Sequence, residues 1–144
     1  MRKALLGIMV VLLLFSSSGC ATLSRTEQEK LNEVRSVGLS ETEIKKKNPG
    51  AAGALNLLPG FGNFYLAAGT NESDQWLFGF LNLLTWPFSI IWGIPQAAAD
   101  ATVINKKETV YYYTYEKSGK AELAKRIAES NAEEMAATVP VSKQ

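Results

Sequence analysis

From Lys47 to Lys106 the chain carries neither lysine nor arginine between those two residues, and two charge-free runs, residues 48–71 and 75–99, are separated only by Glu72, Ser73 and Asp74. The runs are 24 and 25 residues long. A helix needs about 20 predominantly apolar residues to cross a bilayer, so each length suffices. Pro59, Gly60 and Gly62 break the first run into two pieces, which makes a re-entrant path the expectation there. In the second run Trp76, Leu77, Phe78, Phe80, Leu81, Leu83 and Leu84 would surround a helix on all sides, a pattern that demands burial in lipid or in a large core. A chain of this length has no large core. Pro87 kinks or restarts the helix, which runs on through Ile90, Ile91, Trp92 and Ile94 to Pro95, and Ala97 to Ala101 supply small residues for close helix contact. The expected fold is mainly α, with a broken hydrophobic hairpin over 48–101, flanking polar helices and at most one short strand.

The two runs echo each other at an offset of 26 residues: Leu55-Asn56-Leu57-Leu58 precedes Pro59, and Leu81-Asn82-Leu83-Leu84 precedes Trp86-Pro87. In apolar surroundings Asn56 and Asn82 need partners, and a cross-helix amide pair is one solution; coincidence in a leucine-rich stretch is the other reading. Trp76, Trp86 and Trp92 fit an interfacial belt, with only Trp76 close to a run end. Residues 50–108, with Gly60-Phe61-Gly62-Asn63-Phe64-Tyr65-Leu66, resemble the small two-transmembrane hairpin domain of many bacterial membrane proteins. That family usually has a histidine and an extra residue or two between the glycine and the Phe-Tyr pair, and a glycine where this chain has Ala67. Its tryptophan and aspartate also lie closer together than Trp92 and Asp100. The resemblance implies a membrane hairpin and no reaction, and a distinct lipoprotein family with a similar hairpin is equally compatible.

Arg2 and Lys3 form a positive n-region, Ala4 to Phe15 give 12 mostly apolar residues, and Ser17, Ser18 and Gly19 are small enough for a peptidase to bind the backbone. Cys20, the single cysteine, follows directly. This stretch resembles the signal of bacterial lipoproteins, with Ser17 where that signal usually has Leu. The resemblance implies a signal peptide over 1–19, acylation of Cys20 by diacylglyceryl and fatty-acyl groups such as palmitate, and a mature chain beginning at Cys20. An ordinary cleaved signal with an incidental thiol is the alternative. Ala21, in place of Asp, resembles lipoproteins sent to the outer membrane, so the expected location is the cell envelope, facing the periplasm.

Residues 20–47 are expected to form a polar helical stalk with two short helices, started by Thr26-Glu27-Gln28-Glu29 and Ser40-Glu41-Thr42-Glu43. Leu31, Val34 and Val37 would share one face of the first, with Gly38 and Asn48-Pro49 as stops. Lys45-Lys46-Lys47 fits either a solvated face or contact with anionic headgroups. In the polar segment 102–137, Glu108 to Tyr115 is a strand candidate, but a lone strand has no partner. A helical or extended continuation with tyrosines at headgroup level is the favoured reading. Gly119 to Ala137 reads as a surface helix with a stripe of Ala121, Leu123, Ala124, Ile127, Ala128 and Met135, and 138–144 as a disordered tail.

Without Arg2 and Lys3, 13 basic side chains face 14 acidic ones, and no charge excess or recognition helix points to nucleic acid. The chain has no histidine, which removes His-dependent triads and zinc sites. No nucleophile elbow, phosphate-cradling loop or calcium-loop spacing is present, and Asn71-Glu72-Ser73-Asp74 reads as a polar turn. The expectation is a non-enzymatic, lipid-anchored envelope protein with a structural or interaction role, without catalytic residues, metal or cofactor, whose partners are membrane lipid and an envelope protein or another copy of itself. A second class is a subunit of an oligomeric membrane pore or transporter, for which Gly93, Ala97 and Ala101 offer a packing face. A third, an envelope enzyme using Glu72 and Asp74, has no supporting spacing. A full inner-membrane crossing from a periplasmic anchor would leave the acidic turn in the cytoplasm and both lysine clusters outside, against the positive-inside rule. The hairpin is therefore expected to dip into the periplasm-facing leaflet or to sit in the outer membrane.

Overall fold

The computed structural model describes residues 21–138; Cys20, the expected signal stretch 1–19 and residues 139–144 lie outside the described residues. The described chain is mainly helical, with six helices: α1 (Arg25–Ser36), α2 (Pro49–Leu55), α3 (Phe61–Ala67), α4 (Asp74–Leu84), α5 (Ile90–Tyr115) and α6 (Lys117–Thr138). No strand forms among the described residues. The helices fall into two compact units that interleave along the chain: one takes Ala21, Thr22 and residues 46–104, the other residues 23–45 and 105–138. The segment 20–47 expected as one stalk is thus shared between them, and the apolar unit ends at Ile104, three residues beyond the expected boundary.

The first unit holds α2, α3, α4 and the part of α5 up to Ile104. Neither charge-free run becomes one long helix. Asn48 caps α2 by accepting from the Ala51 amide at 3.0 Å, with Pro49 at the first helical position, where its missing N–H costs nothing. Seven residues later the chain breaks at Asn56, turns through Gly60 in the left-handed region (φ +84°), and restarts as the seven-residue α3. Gly60 is required there twice over, since a Cβ would also stand 2.1 Å from the Gly79 carbonyl oxygen. The second run divides at 85–89, a stretch of turns that includes Pro87. Pro95 does not end α5; the helix passes through it and continues to Tyr115. No helix among the described residues is long and apolar enough to cross a membrane.

Small residues set the packing distances. Ala52, Leu66, Ala97, Ala101 and Ile104 form the apolar centre, with Ala21 and Tyr65 packed against it. The Gly93, Ala97 and Ala101 stripe is consumed within the chain: Ala97 and Ala101 are fully buried, and the Gly93 Cα faces the Asn56 amide. On the other side Phe64 lies among Phe61, Trp76 and Phe80, with ring centroids 6.0, 5.5 and 5.3 Å away, beneath Gly79, whose missing side chain makes room for the Phe64 ring.

In the second unit the cap of α1 is Ser24, two residues before the expected Thr26. Ser24 Oγ accepts from the Glu27 amide while Glu27 returns to the Ser24 amide at 2.7 Å, the reciprocal capping expected of Thr26 and Glu29. Leu31 and Val34 are buried, Val37 is partly so, and Val34 packs with Tyr113 and Leu123. The second stalk helix does not form. Ser40 Oγ accepts from Thr42 in a local turn instead of reaching residue 43, Glu41 is drawn into ion pairs with Arg35 and Lys106, and the Ile44 amide donates to Thr109 Oγ1 at 3.1 Å. The Ser40 hydroxyl is thus spent on Thr42, and the Ile44 amide, which would make the first helical bond to the Ser40 carbonyl, is spent on Thr109. Glu108–Tyr115 is helical, one of the two continuations that the favoured reading allowed. Thr109, Val110 and Tyr113 turn inward while Tyr111 and Tyr115 stack outward at 5.1 Å, a split that three- and four-residue spacing produces and alternation does not. In α6 the expected stripe narrows to Leu123 and Ile127, with Ala121, Ala124, Ala128 and Met135 exposed.

Gly62 lies so close to α2 that a Cβ would stand 2.2 Å from the Ala52 carbonyl oxygen and 2.8 Å from the Asn56 side chain. Gly62→Ala should cost about 3 kcal/mol, whereas Gly50→Ala should change stability by less than about 1 kcal/mol. Thermal unfolding of detergent-solubilised protein, followed by circular dichroism, measures both; equal stability of the two variants would contradict this packing.

Candidate functional site

Of the groups in the charge-free runs able to hydrogen-bond through side chains, the first unit buries five, Asn56, Asn63, Gln75, Asn82 and Ser89. Asp100, fully buried, terminates the set. A carboxylate only accepts, so Gln75 presents its amide nitrogen, Nε2 donating to Asp100 Oδ2 at 2.9 Å. That orientation leaves Gln75 Oε1 to accept from Asn63 Nδ2 at 2.8 Å. Asn63 Oδ1 then faces two donors, Asn56 Nδ2 at 3.1 Å and Asn82 Nδ2 at 2.8 Å. The far ends close on groups that only donate: Asn56 Oδ1 accepts from the Gly62 amide at 2.9 Å and Asn82 Oδ1 from Trp92 Nε1 at 3.2 Å. Asn56 Nδ2 also reaches the Gly93 carbonyl, and Ser89 Oγ donates to the Asn82 carbonyl at 2.7 Å. Every amide in this relay has one permitted orientation, imposed by an acceptor at one end and donors at the other.

The relay also settles the Asn56 and Asn82 question. They do not pair directly; both meet on the Asn63 carbonyl, so the two copies of the Leu-Asn-Leu-Leu echo play the same part. In each, the asparagine is buried and the two leucines after it are exposed, Leu57 and Leu58 in one and Leu83 and Leu84 in the other. Helix α4 shows the arrangement most plainly: Gln75, Gly79 and Asn82 face inward at spacings of four and three, while Trp76, Leu77, Phe80, Leu83 and Leu84 face outward. Trp86, Phe88 and Ile91 extend the outward face, with Leu84 80% and Ile91 78% exposed. The unit thus buries this polar relay beside its apolar centre and leaves much of its bulkiest apolar surface exposed.

Asp100 Oδ1 accepts from the backbone amide of Ala21 at 2.8 Å. The remaining singled-out residues fall as follows. Cys20 lies outside the described residues. Lys47 leaves the lysine run and is buried, its ammonium donating to the carbonyls of Tyr65 and Ala68 at the end of α3 and lying 4.5 Å over the Tyr65 ring, while Lys45 and Lys46 are exposed. A cation at a helix C-terminus satisfies carbonyls that have no partner inside the helix. Glu72 and Asp74 flank Ser73 in the turn that opens α4. No group of three or more His, Cys, Asp or Glu side chains able to hold a metal exists among the described residues. Sequence reasoning missed Asn63, Gln75 and Asp100. A usable signal was present in the spacing, since Gln75 and Asn82 are seven apart, two turns along one helix face, as the only amides in an apolar stretch.

No family model matches this chain, and neither curated proteins nor solved structures provide a match.

Asn63, fully buried, is the junction of the relay. Asn63→Leu removes the acceptor for Asn82 and the donor for Gln75, leaving buried polar groups unmatched, and should destabilise the protein by about 2–5 kcal/mol. A double-mutant cycle pairing it with Asn82→Leu should show a coupling energy of at least about 0.5 kcal/mol. Equilibrium unfolding in detergent checks both values.

Proposed function

We propose that this protein is a lipid-anchored component of the cell envelope, non-enzymatic, in which a broken apolar hairpin is embedded in one leaflet of a membrane and the polar second unit serves a structural or protein-interaction role. The observation that carries this reading is the large exposed apolar face of the first unit around a buried amide relay. In water an exposed row of Trp76, Leu77, Phe80, Leu84, Trp86, Phe88 and Ile91 would drive association, whereas acyl chains solvate it, and a buried relay with its hydrogen bonds internally satisfied is what a low-dielectric surrounding demands.

Length supports entry into one leaflet over a full crossing. The 11 residues of α4 rise about 16 Å at about 1.5 Å per residue, close to half of a hydrocarbon core about 30 Å thick. The acidic turn at Glu72 and Asp74 opens α4, and the most exposed apolar residues lie at its far end and in the turn that follows, so the wedge enters with 84–91 deepest and 72–74 at the headgroups. The absence of Lys and Arg from 48–105 agrees with this orientation and with a periplasm-facing or outer-membrane leaflet. The resemblance to lipoprotein signals and to the two-transmembrane hairpin domain supports the anchor and the membrane location. A pore or transporter subunit has less behind it, because the small-residue stripe it would use between copies is filled by the chain's own helices.

Mass spectrometry of the mature protein should find an acylated Cys20 as its first residue. The Cys20→Ser protein, expressed without residues 1–19, should still float with phospholipid vesicles through a sucrose gradient and require detergent for release. A free thiol would remove the anchor from this reading, and a soluble monomer in the flotation assay would remove the embedded wedge.

A further inference from the structure

We infer that Asp100 is a clamp for the anchored N-terminus: it holds the backbone amide of the residue that follows the acylated cysteine, so that the lipid and the apolar wedge form one rigid membrane-binding element with no tether between them. This rests on the reading of Cys20 as the lipidated residue. Four observations carry it. Asp100 is fully buried; its Oδ2 accepts from Gln75 Nε2 at 2.9 Å and its Oδ1 from the Ala21 amide at 2.8 Å. Ala21 belongs to the apolar unit although 23 residues of the other unit separate it in sequence from Lys46. The Ala21 methyl packs against the Ala52, Leu66, Ala97, Ala101 and Ile104 centre. The clamp also stands at the right level. Gln75 is the second residue of α4, beside the acidic turn, so Asp100 and the Ala21 amide sit at the end of the unit that the wedge orientation assigns to the headgroups.

The acylated residue is bonded directly to the nitrogen that Asp100 holds. Were the cysteine joined through a flexible stalk, the acyl chains would act as a separate tether and the hairpin would enter the membrane as a second, independent event. With the amide held, lipid and wedge insert together, and the entropic cost of bringing them to the same leaflet is met in the fold. Because the carboxylate accepts from Gln75 as well, the clamp is continuous with the relay, and the polar interior sets where the anchor emerges. Asp100 is a positioning residue in this account and touches no reacting group.

Amide hydrogen exchange tests the clamp at the atom concerned. In the mature, acylated protein labelled with ¹⁵N-alanine and held in detergent micelles, the Ala21 amide should exchange at least about 10-fold more slowly than an unstructured alanine. Asp100→Ala should restore the unstructured rate at Ala21 while leaving the Ala97 and Ala52 amides protected. An unprotected Ala21 in the wild-type protein, or a protected one that Asp100→Ala leaves unchanged, overturns the proposal. The wild-type rate decides the matter alone should Asp100→Ala unfold the unit. Mass spectrometry of the same sample reports whether Cys20 is acylated, which separates failure of the clamp from failure of the lipid-anchor reading: exchange protection without acylation keeps the clamp and loses the anchor, and acylation without protection does the opposite.

Discussion

An acceptor-only carboxylate buried at one end of a chain of amides is the interaction on which the first unit depends. Asp100 forces Gln75 to donate, Gln75 forces Asn63 to donate, and Asn63 is left with one carbonyl oxygen that collects Asn56 and Asn82. Each step follows from the donor and acceptor inventory of the side chain, with no choice left to packing. The relay ties α2, α3, α4 and the beginning of α5 to one another, and it does so where ordinary apolar packing offers little specificity, among glycines, alanines and leucines. In a low-dielectric setting such a fully matched network specifies one arrangement, because any alternative leaves a buried polar group without its partner.

With the amides turned inward beside a small apolar centre, most of the bulky apolar side chains are left on the outside. Helix α4 carries both consequences on one element, Gln75 and Asn82 inside, Leu77 and Leu84 outside. The short helices follow from the same chemistry. In an unbroken helix Asn56 and Asn63 would stand about two turns, roughly 10 Å, apart along one face, beyond hydrogen-bond reach, whereas breaks at Asn56–Gly60 and 85–89 fold the runs back so that the amides converge. Gly60, Gly62 and Gly79 permit that folding by letting backbone and ring surfaces approach within distances that a Cβ would forbid.

Much of the architecture was legible in the sequence where a local rule has one outcome: the mainly helical content, the breaks near Pro59 and Pro87, the Leu31, Val34 and Val37 face, and the terminal surface helix. Legibility failed where tertiary partners compete with local ones. Ser40-Glu41-Thr42-Glu43 has a sound capping pattern, but the Ser40 hydroxyl turns to the Thr42 amide and Thr109 takes the Ile44 amide that a first helical turn would use. Lys47 looks like one of three surface lysines until the end of α3 supplies carbonyls for it. Pro95 looks like a helix stop, yet α5 carries it in its interior. Of the candidate site, the echo of Asn56 and Asn82 was visible while its hub was not, because Asn63 and Gln75 lie in different runs and only the fold brings them within 2.8 Å.

Depth-dependent fluorescence quenching tests the embedded wedge most directly. Single-tryptophan proteins retaining Trp76 or Trp86, with the other tryptophans replaced by Phe, are reconstituted into vesicles containing phospholipids brominated at shallow or deep acyl-chain carbons. The wedge requires Trp76 to be quenched best by shallow bromines, near the headgroups, and Trp86 best by deep ones, near the bilayer centre, a separation in keeping with the rise of about 16 Å along α4. Trp86 untouched by bromine at any depth, or Trp76 and Trp86 quenched in the opposite order, would contradict it.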